Sequence, residues 1–135
     1  MESPPTPALT PVRLALGLIY LHFGLLKLFP DLSSAEMLAD QTVLRLHLGL
    51  APETVRQLLA LLECGIGVGF LLHVVPRVTL VVFAAHMLCT LLPLVLLPEL
   101  VFSSFPFGPS LEGQYLLKNL VFLGAGWALW TGEPR

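Results

Sequence analysis

The chain has 135 residues, of which 56% are hydrophobic and only 12% charged, with a formal net charge of −2. An ordinary globular domain carries about 25% charged residues, so this composition, with a mean hydropathy of +0.84, excludes a normal soluble surface. No basic patch or charge run is present, which excludes a nucleic-acid role; the length permits one domain, and it also fits about four membrane helices of about 20 residues each.

The opening residues, MESPPTPALTP, lack the basic region that precedes a cleavable signal, and 1–11 are expected to form a disordered lead. The first apolar run covers about 12–29. It contains Gly17, Tyr20, Gly24 and Lys27 at i, i+3, i+7 and i+10, one stripe of a helix whose glycines admit a close neighbour. His22 lies in the same run.

Between about 30 and 54 the pattern changes. Leu38, Val43, Leu44, Leu46 and Leu48 alternate with polar residues, and Ser33 or Ser34 can cap a helix start. A short amphipathic helix over 33–48 is expected, lying on the membrane interface or capping the bundle. Pro52 and Glu53 then open the second run, about 55–75, in which Arg56, Leu59, Glu63 and Gly67 share a stripe.

Pro76 divides the second run from the third, about 77–97, and the short turn makes these two helices a tight hairpin. Thr79, His86, Cys89 and Thr90 are assigned to the inward side of the third run. Pro98, Pro106 and Pro109 keep 98–113 out of helix. The fourth run, about 115–131, has Gln114, Tyr115, Lys118 and Phe122 on its expected inner face, with Asn119 beside them. Strand alternation is absent, and each run reaches spanning length. The expected fold is therefore all-α: an integral membrane four-helix bundle over 12–131, with a short interfacial helix between helices one and two, and a C-terminal tail at 132–135.

Arg13, Arg77 and Arg135 fall on one side of this topology, against Arg45 and Arg56 on the other. The positive-inside rule then puts both termini in the cytoplasm.

Charged groups inside a bilayer cost about 2.5–3.5 kcal/mol on insertion scales and usually pair or mark function. Lys27, Glu63 and Lys118 are expected to converge with Asn119 as one intramembrane polar network. Tyr20, His22 and His86 are candidate ligand-binding residues, with Phe83 and Phe122 as walls. Each lysine taken alone can instead snorkel to the interface, and the pair can serve only to fix helix packing. No HxxH or ExxH spacing supports a metal site, and Cys64 and Cys89 lie in apolar runs with no CxxC.

The stretches RLALGLIYLHFGLLKLFP and LLECGIGVGFLL resemble the DoxX-like family of small four-helix membrane proteins. The matching positions are Arg13, Gly24, Lys27, Glu63 and Gly65. LPELVFSSFPFGPSLEGQYLLKNLVFLGAGWAL is similar to the branch of bacterial inner-membrane proteins linked to reactive chlorine resistance, through Pro98, Glu99, Phe105, Pro106, Gly113, Leu117, Lys118 and Asn119. The resemblance covers about 12–131 and is weaker across 31–53. It implies a four-helix bundle in a bacterial inner membrane. Members are linked with quinone-coupled thiosulfate oxidation, oxidative-stress membrane complexes and, in animals, receptor assembly. Because a fold does not fix a function, three expectations stand. The first is a redox- or stress-linked membrane component binding a lipophilic, quinone-like molecule. The second is a scaffold for another membrane protein or a second copy. The third is a small-solute or proton transporter.

Overall fold

The computed structural model describes residues 7–29 and 36–133. The chain is mostly helical: α1 is Thr10–Leu26, α2 Glu36–Arg45, α3 Pro52–Leu72, α4 Pro76–Thr90, α5 Pro93–Leu96, α6 Pro98–Val101, α7 Leu111–Leu117 and α8 Asn119–Gly132. Each of α3 to α6 opens on a proline. Its fixed φ suits the first turn, and its missing N–H is one that a helix start leaves unpaired anyway. A 3₁₀ turn at Pro7–Leu9 leads into α1, so helical structure begins before residue 12, within the lead expected to be disordered. Residues 1–6 and the expected caps Ser33 and Ser34 lie outside the described residues.

Among the described residues, three helical stretches are long and apolar enough to cross a membrane: Pro7–Leu26, Pro52–Leu72 and Pro76–Leu96. The third stretch is not a single regular helix. α4 ends at Thr90 and the path restarts at Pro93, because a proline cannot donate to the preceding turn. The fourth apolar run divides at Lys118 into α7 and α8. Lys118 keeps right-handed helical angles (φ −60, ψ −23), and the Val121 N–H reaches back only three residues to the Lys118 carbonyl at 3.0 Å.

α1 packs along most of α3. A Cβ on Gly24 would stand 2.7 Å from the Cys64 nitrogen, and one on Gly67 would stand 2.6 Å from the Leu21 nitrogen. The expected glycine stripe therefore serves this crossing, where the two backbones approach too closely for any side chain.

The α3–α4 hairpin is tight because His73 (φ 54) and Val75 (φ 41) both adopt left-handed backbone. For the β-branched Val75 this is strained. The turn is held by the Thr79 hydroxyl donating to the Val74 carbonyl at 3.1 Å.

α2 lies where an amphipathic helix is expected. It buries Leu38, Thr42 and Val43 and rests on α3 and α5. Arg45 joins it to α6 through Glu99 at 2.6 Å. Between α6 and α7 a two-stranded hairpin pairs Phe102 with Pro109 and Ser104 with Gly108. It lies in 98–113, expected to stay out of helix, but α6 and the first turn of α7 are helical inside that range, because a proline is well suited to the first position of a helix, as at Pro98; strands this short show no alternation by which to recognise them.

Two buried clusters form the core. One gathers Leu16, Tyr20, Ile66, Phe70, Leu80, Phe83, Met87 and Leu129 from α1, α3, α4 and α8. The other gathers Leu38, Leu97, Val101 and Leu116 under α2 and the 98–117 region.

Candidate functional site

Four side chains from three helices form one continuous chain of hydrogen bonds. Lys27 at the end of α1 donates from Nζ to Glu63 Oε2 of α3 at 2.7 Å. Glu63 Oε1 lies 3.2 Å from His86 Nε2 of α4. His86 Nδ1 lies 3.1 Å from the hydroxyl of Tyr20, back on α1. All four are shielded: Tyr20 is 3% exposed, Glu63 6% and His86 7%, and the Lys27 side chain is 13% exposed.

The chemistry of the groups orders the protons. A carboxylate only accepts, so Lys27 and the His86 Nε2–H both donate to Glu63. Nδ1 of the neutral imidazole is then an acceptor, and the Tyr20 hydroxyl donates to it. Among the described residues no buried side-chain nitrogen or oxygen lacks a partner. The ammonium and the carboxylate cancel in net charge, which is how a dry site tolerates both.

Local sequence explains the convergence. Gly24 and Gly67 bring α1 and α3 together, so Lys27 reaches the α3 face that carries Glu63. On α4, Thr79, Phe83 and His86 are buried on one stripe, turning His86 inward. Lys27 and Glu63 meet as expected, and Tyr20 and His86, expected as separate ligand contacts, join the same chain.

Two expected members, Lys118 and Asn119, do not join it, and neither does the ligand candidate His22. Lys118 is exposed, with Nζ 4.9 Å above the Tyr115 ring. Asn119 is buried but donates from Nδ2 to the Thr90 hydroxyl at 2.9 Å, a separate link between α8 and α4. The fully buried residues here are Gly113, Leu116 and Asn119, one position out of phase with the expected Tyr115 and Lys118, while Phe122 packs partly buried against the core as expected. His22 is exposed and its ring neighbours Phe23, on the side of α1 away from Tyr20 and Gly24. On α4, Cys89 is exposed too, outside the inward stripe assigned to it.

Sequence reasoning missed a second polar cluster, at the other end of α1. Arg13 donates to the carbonyls of Phe70 and, at 3.3 Å, Leu71. These belong to the last turn of α3, whose carbonyls have no partners within the helix. Nearby, His73 Nε2 lies 2.8 Å from Glu133 Oε1. The available signal was an arginine at a helix start paired with a histidine at a helix end.

Two cavities flank the Lys27 end. A cleft of about 10 Å³ is lined by Lys27, Ala39, Asp40, Val43, Val55 and Arg56 among others. A groove of about 470 Å³ is lined by Met37, Leu38, Leu111, Glu112, Gln114, Tyr115 and Lys118. α2 walls both. Among the described residues no group of three or more His, Cys, Asp or Glu side chains is arranged to hold a metal ion. No protein-family model, no curated protein and no solved structure matches this chain.

Proposed function

We propose that this chain is a DoxX-like four-helix protein of a bacterial inner membrane, a redox- or oxidative-stress-linked component that binds a small lipophilic, quinone-like molecule. The observation that carries the reading is the buried Tyr20–His86–Glu63–Lys27 chain. Ionisable groups placed this deep among apolar helices mark a functional site more often than a structural one. The fourth span is the helical path 111–132, about 33 Å at 1.5 Å per residue, enough to cross a bilayer despite the slip at Lys118. Four spans put both termini on one side, and Arg13, Arg77 and Arg135 make that side the cytoplasm.

The ligand's place in this reading is the groove between α2 and α7. Met37, Leu38 and Leu111 offer an apolar wall, while Gln114, Tyr115 and Lys118 offer donors to a carbonyl oxygen. The test is direct. Protein purified in mild detergent is expected to release a quinone on solvent extraction and to bind added decylubiquinone, with Lys118→Ala weakening that binding. Extraction without quinone, together with no binding of decylubiquinone, overturns the reading.

The scaffold alternative draws support from Gly65 and Gly124, which are exposed and would meet nothing within 4 Å if they carried a Cβ. Such positions suit close packing by another helix, from a partner protein or a second copy. Repeated recovery of one crosslinked partner would favour it.

A further inference from the structure

The loop that joins the third apolar run to the fourth carries an apolar tip that does not line the proposed groove. No residue from Leu100 to Leu111 is charged. The four most exposed large apolar side chains among the described residues fall within 95–111: Phe107 at 93%, Val95 at 80%, Leu111 at 79% and Phe105 at 76%. This exposure does not come from a loose segment. Beneath it Leu97 and Val101 are fully enclosed in the second core cluster. The Ser110 hydroxyl donates to the Leu100 carbonyl at 2.7 Å, and the Ser110 N–H donates to the Val101 carbonyl at 2.9 Å. A Cβ on Gly113 would collide with that same Val101 oxygen, so α7 starts in direct contact with the end of α6. The base of the hairpin is thereby fixed, and its Phe105 ring meets Phe102 edge-on at 5.3 Å.

An exposed apolar patch of this kind marks a contact surface, and its place in the chain points to what covers it. The helical stretch Pro76–Leu96 is long and apolar enough to cross a membrane, and the hairpin follows it closely, at Phe102. The helical path 111–132 begins just after Pro109. In the membrane-spanning reading, both flanks of the hairpin therefore stand at a bilayer boundary. That boundary is on the side where Lys27 and α2 lie, since Glu99 of α6 bonds to Arg45 of α2. Composition then distinguishes lipid from a protein partner. Phenylalanine has no hydroxyl or indole N–H to hold its ring at headgroup level. A protein interface surrounds its apolar centre with a polar, hydrogen-bonding rim, whereas Phe105 and Phe107 are flanked in the chain only by Ser103, Ser104, prolines and Gly108. We infer that the 102–109 hairpin is a lipid anchor: Phe105 and Phe107 enter the acyl-chain boundary of the leaflet on the Lys27 side, through apolar contact and not through a charged headgroup. Leu111 lines the groove as well, so the anchor fixes the depth at which the start of α7 meets the bilayer.

The inference rests on the membrane-spanning part of the proposed function and not on its ligand, and its test tells the two failures apart. The wild-type chain is placed in phosphatidylcholine vesicles in which a minor lipid carries a diazirine on its acyl chain. After illumination, adducts are mapped by mass spectrometry; a parallel sample is oxidised from the water by hydroxyl radicals. Leu61 and Val121, exposed on α3 and α8, are the internal controls. Adducts on Phe105 and Phe107 as frequent as on the controls, with little oxidation of either ring, are expected. In the double variant Phe105→Ser with Phe107→Ser, adducts between 102 and 109 should be lost while those on the controls remain. Labelled controls beside a tip that is unlabelled and oxidised would overturn the anchor, because the rings would then stand in water. A tip that is neither labelled nor oxidised would equally overturn it, because a partner protein or a second copy would then be the cover. Tip adducts that persist in the double variant would overturn the role given to the two rings. Absence of adducts on the controls would remove the membrane-spanning reading itself, and the anchor with it.

Discussion

Both cations of α1 are directed at α3, but they meet different kinds of partner. Arg13 meets the end of α3, where unpaired carbonyls are already present and need a donor. Lys27 meets the middle of α3, where every backbone group is already bonded, so the acceptor must be a side chain. That acceptor is Glu63, and it brings a charge of its own into the core. A helix end can therefore hold a cation with neutral groups, whereas a helix middle needs a counter-ion, and the counter-ion needs further partners. His86 and Tyr20 complete that requirement at one end of α1; at the other, nothing beyond backbone is required. The Lys27 end should accordingly be the more brittle of the two.

The largest effect is expected at Glu63. Glu63→Gln leaves Lys27 as an uncompensated buried charge and keeps an acceptor oxygen for only one of the two donors. Breaking a buried pair in this way costs about 3–5 kcal/mol, read as a loss of thermal stability in detergent. An unchanged melting temperature would mean that Lys27 has another route to solvent, and the contrast between the two ends would disappear.

Lys27→Met comes next. With Lys118 exposed and directed at Tyr115, no second lysine takes over, but Glu63 retains one of its two donors, His86. The loss should be substantial and smaller than for Glu63→Gln. The double change Glu63→Gln with Lys27→Met removes both charges and should recover part of the deficit, because replacing a buried pair outright is often near neutral. Strict additivity of the two single losses would show that the pair is not coupled.

Arg13→Met should cost less again, about 1.5–3 kcal/mol for hydrogen bonds from a charged donor. The carbonyls it leaves lie at a helix end that water can reach, and the turn keeps its own bond from the Val74 N–H to the Gly69 carbonyl at 3.2 Å. A loss exceeding that of Glu63→Gln would invert the comparison.

Much of this was legible in the residues, for identifiable reasons. The helices follow from long apolar runs punctuated by prolines, and the Lys27–Glu63 contact follows from the glycine stripe, because Gly24 and Gly67 fix how closely α1 and α3 approach. Helix phase was legible only where small residues marked it. α8 is apolar nearly all round, so its sequence contains no stripe from which to read an inward face. The buried row of Gly113, Leu116 and Asn119 is already one residue off the expected stripe before Lys118, and it leaves Asn119 buried and Lys118 exposed. The direction of His22 was legible from the glycine stripe of α1, because two residues from both Tyr20 and Gly24 is about 200° around a helix, on the outward side. The cluster of Arg13, His73 and Glu133 joins residues far apart in sequence, across elements whose ends the apolar pattern locates only loosely.

The smallest effect on stability belongs to Lys118, and for that reason it separates structure from function. Its side chain is exposed and its contact is with the face of the Tyr115 ring. A cation–π contact at an exposed site is worth about 0.5–1 kcal/mol, and most surface substitutions fall within about 0.5 kcal/mol. Lys118→Met should therefore leave the melting temperature almost unchanged, since it takes no part in the buried chain. In the proposed groove, however, it removes a cationic donor from the wall opposite Met37 and Leu38. Weaker decylubiquinone binding at unchanged stability would assign Lys118 to the ligand. Reduced stability at unchanged binding would return Lys118 to the packing of the bundle, and the groove would lose its chief polar contact.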